Sequence, residues 1–286
     1  MSNKYEQEKF LGKGAYSSAY ITSFQGKPAV IKKLHDVKNI DQVASEVDAL
    51  QKVSTSPTCH PSIVCLYDYS LGPNPDEIYL VEEFIDGDDL LQYVRANQLH
   101  KTKLIAAEIF SIMKQLIEAL DFVHSHDIVH RDIKLANVMI ENETNKNKLY
   151  KTVKLIDFGL SCSDTQCPTA VSGTPNYIAP ELWLQLSKNK KALNAQQLLD
   201  LYKSADVWAL GILGYYLIHG KFPFTSKLVP ALKQEILSSE DIISDSGNPE
   251  LDELISLMLV KDPKYRATAS ELKDNLPTME ANNEQV

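Results

Sequence analysis

Cysteine is scarce in this chain of 286 residues, which carries only Cys59, Cys65, Cys162 and Cys167. Four thiols spread so unevenly do not suggest a disulfide framework and fit a reducing compartment. Cys162 and Cys167 are expected as two unpaired thiols, with redox sensitivity as the alternative. Their spacing does not resemble a zinc site, and no histidine flanks them suitably. Long apolar runs are also missing. None reaches the length of a membrane span, and the start, Met1-Ser2-Asn3-Lys4-Tyr5-Glu6, lacks the apolar stretch of a signal peptide. A soluble intracellular protein is expected, cytoplasmic and without membrane contact. Positive charge is in deficit, since 29 Lys and Arg stand against 38 Asp and Glu for a net charge of −9. That balance argues against a general affinity for nucleic acid or anionic lipid, although a local basic patch would survive the average.

What is present is apolar mass and a change of character along the chain. Hydrophobic residues make up 44%, enough for a sizeable core, and the length suits one two-lobed domain or two small ones. Segments such as Pro28-Ala29-Val30-Ile31-Lys32 and Ile78-Tyr79-Leu80-Val81 are short, β-branched and bounded by Gly, Pro or polar clusters, as strands are. Between them Val43, Val47, Leu50 and Val53 recur at helical spacing. Beyond residue 100, Ile105, Ile109, Ile112, Met113, Leu116, Leu120 and Val123 predict a long amphipathic helix, and residues 206–219 read as a helix buried nearly all round. The fold class is therefore α+β. A mostly-β part with one helix precedes a mainly helical part, and the joint falls at Ile85-Asp86-Gly87-Asp88-Asp89. Within that division residues 1–5 are an extension, 6–85 the first lobe and 86–276 the second. The polar tail over 277–286 is expected to be disordered.

Two segments carry most of the chemical information. His130-Arg131-Asp132-Ile133-Lys134-Leu135-Ala136-Asn137 is followed by Asp157-Phe158-Gly159 after a short apolar run. Together they supply a carboxylate able to receive a hydroxyl proton, an ammonium beside it, and an amide plus a second carboxylate able to hold divalent metal. Upstream, Gly12-Lys13-Gly14-Ala15-Tyr16-Ser17 sits between apolar stretches, where glycines let backbone N–H groups approach phosphate. Taken singly these upstream signals are weak. The glycines also suit a ligand-free hairpin, Lys32 a solvated strand end, and Glu46 a solvated helix face.

Their order removes that ambiguity. Glycine loop, strand lysine, helix glutamate, His-Arg-Asp with its downstream Asn, Asp-Phe-Gly and Ala179-Pro180-Glu181 follow one another as in the protein-kinase signature set. Over roughly residues 6–275 the chain resembles the eukaryotic-type protein kinase family, and Lys134 with Gly173-Thr174-Pro175-Asn176-Tyr177 is similar to its serine/threonine branch. The resemblance implies a bilobal fold, ATP and Mg²⁺ as cofactors, protein substrates with Ser or Thr acceptors, and a monomer. It implies that Lys32, paired with Glu46, holds the α- and β-phosphates beneath the loop containing Leu11, Gly12, Lys13 and Gly14. Asp132 would accept the substrate proton, Lys134 would steady the transferred group, and Asn137 and Asp157 would bind Mg²⁺. Ala19, Val30 and Met139 would enclose the base, Glu83 and Ile85 would read its edge through the hinge backbone, and Asp89 would reach the ribose. Asp206 would brace the catalytic loop from a buried helix, and Arg266 would pair with Glu181. A pseudokinase scaffold that binds nucleotide and partners is the alternative, although such proteins commonly lose one of the residues present here.

Several positions depart from the family pattern. Ala19 and Val30 exchange the usual small and branched residues, a swap that conserves volume. Glu82 stands at the gatekeeper position, usually apolar or Thr. It is expected to bond Lys32 or a polar neighbour, unless a shifted strand leaves it solvated. Ala170 fills the usual phosphate-acceptor position of the activation segment. Thr169 is the substitute acceptor, with a loop ordered by packing as the alternative. Between Glu181 and Asp206 the chain is longer than usual, and Lys188-Asn189-Lys190-Lys191 is read as a solvated insertion or docking surface. Residues 141–152 read as an expanded hairpin. Ala136 and Tyr216 replace residues that favour basic substrates, so a strong preference for arginine-rich sequences is not expected.

Overall fold

The computed structural model describes residues 9–13, 17–34, 40–55, 58–72, 77–142, 151–163, 167–168, 171–185, 193–240 and 242–283, without the side chains of 40–43 and 277–283. Strands β1 (Lys9–Lys13), β2 (Ser17–Phe24) and β3 (Lys27–Leu34) are followed by helix α1 (Ile40–Val53), then β4 (Leu66–Leu71) and β5 (Ile78–Glu83). The strands form one antiparallel sheet in the order β1-β2-β3-β5-β4. Alternation along β3 and β5 gives this sheet two different faces. Ala29, Ile31, Tyr79 and Val81 form a small apolar cluster on one of them, packed against Tyr20, Phe24 and Tyr67. The intervening residues Val30, Lys32, Leu80 and Glu82 point the other way. Opposed residues of an antiparallel pair share a face, and here Val30 opposes Glu82 while Lys32 opposes Leu80.

The second part begins with β6 (Gly87–Asp89), α2 (Leu90–Leu99) and α3 (Ala106–Ser125), and continues through β7 (Ile128–Val129), β8 (Val138–Glu141), β9 (Val153–Leu155) and β10 (Cys162–Ser163). It ends with α4 (Pro180–Gln185), α5 (Ala195–His219), α6 (Val229–Ser238), α7 (Pro249–Met258) and α8 (Ala269–Asn283). The α+β class and the five-stranded sheet ahead of a helical lobe agree with the sequence pattern. Among the described residues no helix is long and apolar enough to cross a membrane.

The helical lobe is organised by α3 and α5. Ile109, Ile112, Met113, Leu116, Leu120 and Val123 of α3 are buried at helical spacing, and α5 is buried almost all round from Ala205 to Gly214. Burying each large aliphatic side chain contributes about 1.5–3 kcal/mol, so this pair makes a large contribution to the lobe's stability. Gly211 lets α7 approach α5 closely, because a Cβ there would lie 2.8 Å from Met258 Cβ.

Three expectations are corrected here. Helix α5 begins at Ala195 rather than near 206, so part of the expected insertion is ordered helix with Leu198, Leu199 and Tyr202 buried. Its start is a capping box: Gln197 N–H donates to Asn194 Oδ1 at 2.8 Å, and Asn194 N–H donates to Gln197 Oε1 at 3.1 Å. The Lys188–Lys191 run itself lies outside the described residues, as do 143–150 of the expanded hairpin. Secondly, α8 continues past Pro277 to Asn283, where a disordered tail was expected. Thirdly, the cysteines are paired rather than free. Cys59 bonds Cys65 and Cys162 bonds Cys167, with Cα separations of 5.3 and 5.1 Å, within the normal range for disulfides. Each bridge closes a short loop, a constraint that residue spacing alone does not reveal.

Candidate active site

The cleft between the sheet and the helical lobe collects the charged residues of both. Lys32 projects from β3, Glu46 from α1, and Asp157 from the turn after β9. Lys32 Nζ lies 2.8 Å from Glu46 Oε1 and 2.9 Å from Asp157 Oδ1. Burial acts to lower the lysine pKa, yet Glu46, Asp157 and Glu82 outweigh it and hold the ammonium well above its usual range. The same ammonium is the main cause of the fall of Asp157 to about 2, against the opposing effect of burial. At neutral pH the site therefore contains a fixed cation beside an ionised carboxylate.

The Asp132 carboxylate is held by three side chains. Lys134 Nζ lies 2.5 Å from its Oδ2, Thr174 Oγ1 donates to its Oδ1 at 3.1 Å, and Asn137 Nδ2 donates to its Oδ2 at 3.1 Å. Asn137 Nδ2 also donates to the Asp132 carbonyl at 2.9 Å. With its amide nitrogen facing Asp132, Asn137 has its amide oxygen left as an acceptor.

The loop bearing these groups is suspended from α5. The backbone N–H groups of His130 and Arg131 each donate to Asp206 at 2.8 Å, and His124 Nε2 lies 3.1 Å from the same carboxylate. His130 Nδ1 accepts from the Asp132 N–H at 3.3 Å, which leaves Nε2 as the protonated nitrogen facing the Ile156 carbonyl at 3.1 Å. The His130 ring also meets Phe158 edge-on at 4.8 Å, tying the two motif segments together. Arg131 and Asp157 both hold positive φ, +67° and +65°. Strained non-glycine backbone of this kind persists where the surroundings over-determine it, as the Asp206 bonds and the Lys32 pair do here.

Other expected residues are placed less simply. Ala19, opposite Lys32 on the neighbouring strand, shares the cleft face with Val30, and Met139 lies half-buried on β8. Leu11 is exposed at the sheet's edge, next to Gly12 and Lys13, while Gly14 lies outside the described residues. Ile85 is buried. Glu83 uses its side chain structurally, accepting from Cys65 N–H at 2.9 Å and pairing with Lys154 at 2.8 Å. Asp89 caps α2, with one oxygen accepting from Gln92 N–H at 2.9 Å and the other from Gln92 Nε2 at 2.6 Å. A ribose hydroxyl would have to share those oxygens.

The expected bond between Glu82 and Lys32 is not made. The hydrogen bonds of Lys32 go to Glu46 and Asp157, and the buried Glu82 Oε1 has no hydrogen-bond partner among the described residues. Burial is the main cause that raises the Glu82 pKa, to about 7, opposed by Lys32 and reinforced by Glu46, Asp157 and Glu83.

Sequence reasoning did not find the partners of Arg131. Its guanidinium stacks on Tyr202 at 4.6 Å, donates to Ser172 Oγ at 2.9 Å and donates to the Leu160 carbonyl at 3.2 Å. Tyr202 in turn donates to the Pro168 carbonyl at 2.8 Å. Thr169 and Ala170 lie outside the described residues. The segment's end is secured by Glu181 and Arg266, which form a buried bidentate pair at 2.6 and 2.9 Å.

Among known proteins, the family pattern described as protein kinase domain matches residues 5–276. A protein of Acanthamoeba polyphaga mimivirus, provisionally named a serine/threonine-protein kinase, is 32% identical over 86% of this chain and 83% of its own length. Myosin light chain kinase A of Dictyostelium discoideum is 28% identical over 98% of this chain and 89% of that one. Serine/threonine-protein kinase PLK4 of Drosophila sechellia is 32% identical over 92% of this chain, which spans 32% of that larger protein. With this match and the geometry of the cleft in agreement, the chain belongs to the protein kinase family.

Proposed function

We propose that this protein transfers the γ-phosphate of ATP to serine or threonine hydroxyls of protein substrates. The observation that carries the reading is the state of Asp132, whose carboxylate is held at once by Lys134, Thr174 and Asn137. A base fixed by three donors is oriented before substrate arrives, so little reorganisation is needed when the hydroxyl proton is taken up. Lys134, beside it, supplies positive charge where negative charge develops on the transferred group.

The residues present fit ATP and Mg²⁺. Mg²⁺ characteristically takes one or two protein oxygens and completes its shell with phosphate and water, and Asn137 with Asp157 offers such a pair. When bound, the metal neutralises charge on the phosphates. Lys32 is held extended into the cleft by Glu46, ready for phosphate oxygens. Among the described residues, no atom beyond the chain neighbours lies within 4 Å of the space a Cβ on Gly12 would fill, leaving that backbone open to approach. Val30 and Ala19 on the sheet, with Met139 on β8, would give apolar surfaces for a flat base. Thr174 and Lys134 on the same carboxylate support an aliphatic hydroxyl acceptor, as in the serine/threonine branch.

The test is transfer of labelled γ-phosphate to a mixed protein substrate, followed by identification of the phosphorylated amino acids. Phosphoserine and phosphothreonine are expected, and Asp132→Ala and Asp157→Asn are expected to abolish them. A signal no greater than in these variants would favour a nucleotide-binding scaffold.

A further inference from the structure

The carboxyl group of Glu82 occupies an unusual place in this cleft. It opposes Val30 across the β3–β5 pair, on the face that also bears Lys32, Leu80 and Ala19. Lys32 marks the phosphate end of that face through its pair with Asp157. Two residues back along β3, about 7 Å at the usual strand rise, Val30 and Glu82 mark the other end, where the base lies in the reading above. Glu82 is 7% exposed, and its Oε1 is buried without a hydrogen-bond donor among the described residues.

A buried acceptor without a donor is unfavourable, and in native proteins such a group is commonly completed by a bound molecule or serves a function. Its surroundings offer no remedy. Lys32 directs its hydrogen bonds to Glu46 and Asp157, and the adjacent Glu83 already takes the Cys65 amide and the Lys154 ammonium. What the site lacks, among the described residues, is a neutral donor at the base end of the cleft.

We infer that Glu82 is a specificity-determining residue that accepts a hydrogen bond from an exocyclic amino group on the purine edge. The inference rests on the nucleotide-binding reading and sharpens it. A 6-amino group carries two hydrogens. One is available to the backbone carbonyl at the end of β5, and the other meets Glu82. An apolar residue at this position would leave the second hydrogen unused. A nucleotide without the amino group leaves the Glu82 oxygen buried and unpaired, so discrimination should be larger than a single backbone contact provides.

Calorimetric binding of ATP and of purine riboside 5′-triphosphate, which has hydrogen in place of the amino group, tests this with Mg²⁺ present and no phosphotransfer required. The unmodified protein should bind ATP more than tenfold tighter than the analogue. Glu82→Leu should shrink that ratio by about tenfold, the scale of one hydrogen bond to a charged or strongly polar acceptor. Glu82→Gln, which keeps an acceptor oxygen in nearly the same place, should restore most of the ratio. An unchanged ratio in Glu82→Leu, or a Gln variant that behaves like the Leu variant, overturns the inference while leaving nucleotide binding intact. Failure of the unmodified protein to bind either nucleotide overturns the nucleotide reading and the inference with it.

Discussion

The guanidinium of Arg131 lies over the ring of Tyr202, its central carbon 4.6 Å from the ring centroid. An arginine in this position, just ahead of the proposed base Asp132, often needs a phosphate in the activation segment to order it. In this protein an aromatic face, the Ser172 hydroxyl and the Leu160 carbonyl already meet it. Phosphatase-treated protein should therefore keep most of its phosphotransfer activity. Tyr202→Leu should lower activity about tenfold, because a partly desolvated cation–π contact is worth about 1–2 kcal/mol. Intact-mass measurement before and after phosphatase, with rates on both samples, checks the pair. Activity that disappears with the phosphate would show that packing alone does not hold the segment.

The raised pKa of Glu82 has a signed consequence for stability. The folded state holds the proton up to about pH 7, whereas the unfolded chain releases it near the ordinary value of 4.5. The contribution is fully present below pH 4.5 and is lost as pH rises to about 7. Lys32, Glu46, Asp157 and Glu83 are the charged groups acting on it. Glu82→Gln cannot ionise, so its stability relative to the unmodified protein should improve by about 2–3 kcal/mol between pH 5 and pH 8. Denaturant titrations at those two pH values measure it. A difference independent of pH would mean that Glu82 titrates as an ordinary carboxylate.

Breaking the Glu181–Arg266 pair should be costly. The Arg266 side chain is fully buried, stacked 5.1 Å from the Trp208 ring and bonded to both carboxylate oxygens of Glu181. Arg266→Ala leaves a buried carboxylate without its counter-charge and should destabilise the fold by about 3–5 kcal/mol. Replacing both partners by Met and Leu should recover part of that loss. The denaturation midpoints of the single and double variants give the comparison.

The two disulfides predict a labelling order. Cys65 and Cys162 are buried, whereas Cys59 and Cys167 are partly exposed, so a dithiol reagent should attack at the latter pair. Without reductant, alkylation should modify none of the four cysteines, and peptide mapping should recover 59 linked to 65 and 162 linked to 167. Early labelling after brief reduction should favour Cys59 and Cys167. Four labelled cysteines in unreduced protein would rule the bridges out.

Much of the site was legible because fixed spacing carried it. Asp132, Lys134 and Asn137 lie on one short loop, so their meeting required no knowledge of distant packing, and order alone assigned Lys32 to Glu46. What stayed hidden depended on competition between partners. Glu82 is left without Lys32 because Glu46 and Asp157 take the ammonium, and Asp89 turns to Gln92 because a helix begins there. Arg131 meets Tyr202 only after α5 has been packed. The early start of α5 was readable, since Asn194 three residues before Gln197 is a helix-start signal. It was obscured by reading the whole stretch as an insertion. The cysteine pairs follow from loop closure, which hydrophobic periodicity does not encode.

The suspension of the His130–Asn137 loop from Asp206 reaches beyond the proposed chemistry. The amide hydrogens of His130 and Arg131 are held by a carboxylate that is 2% exposed, on the helix at the centre of the larger core. Those two amides can meet solvent only when that core opens. Their exchange with deuterium should therefore proceed at the slow pace of global unfolding rather than at the pace of a surface loop.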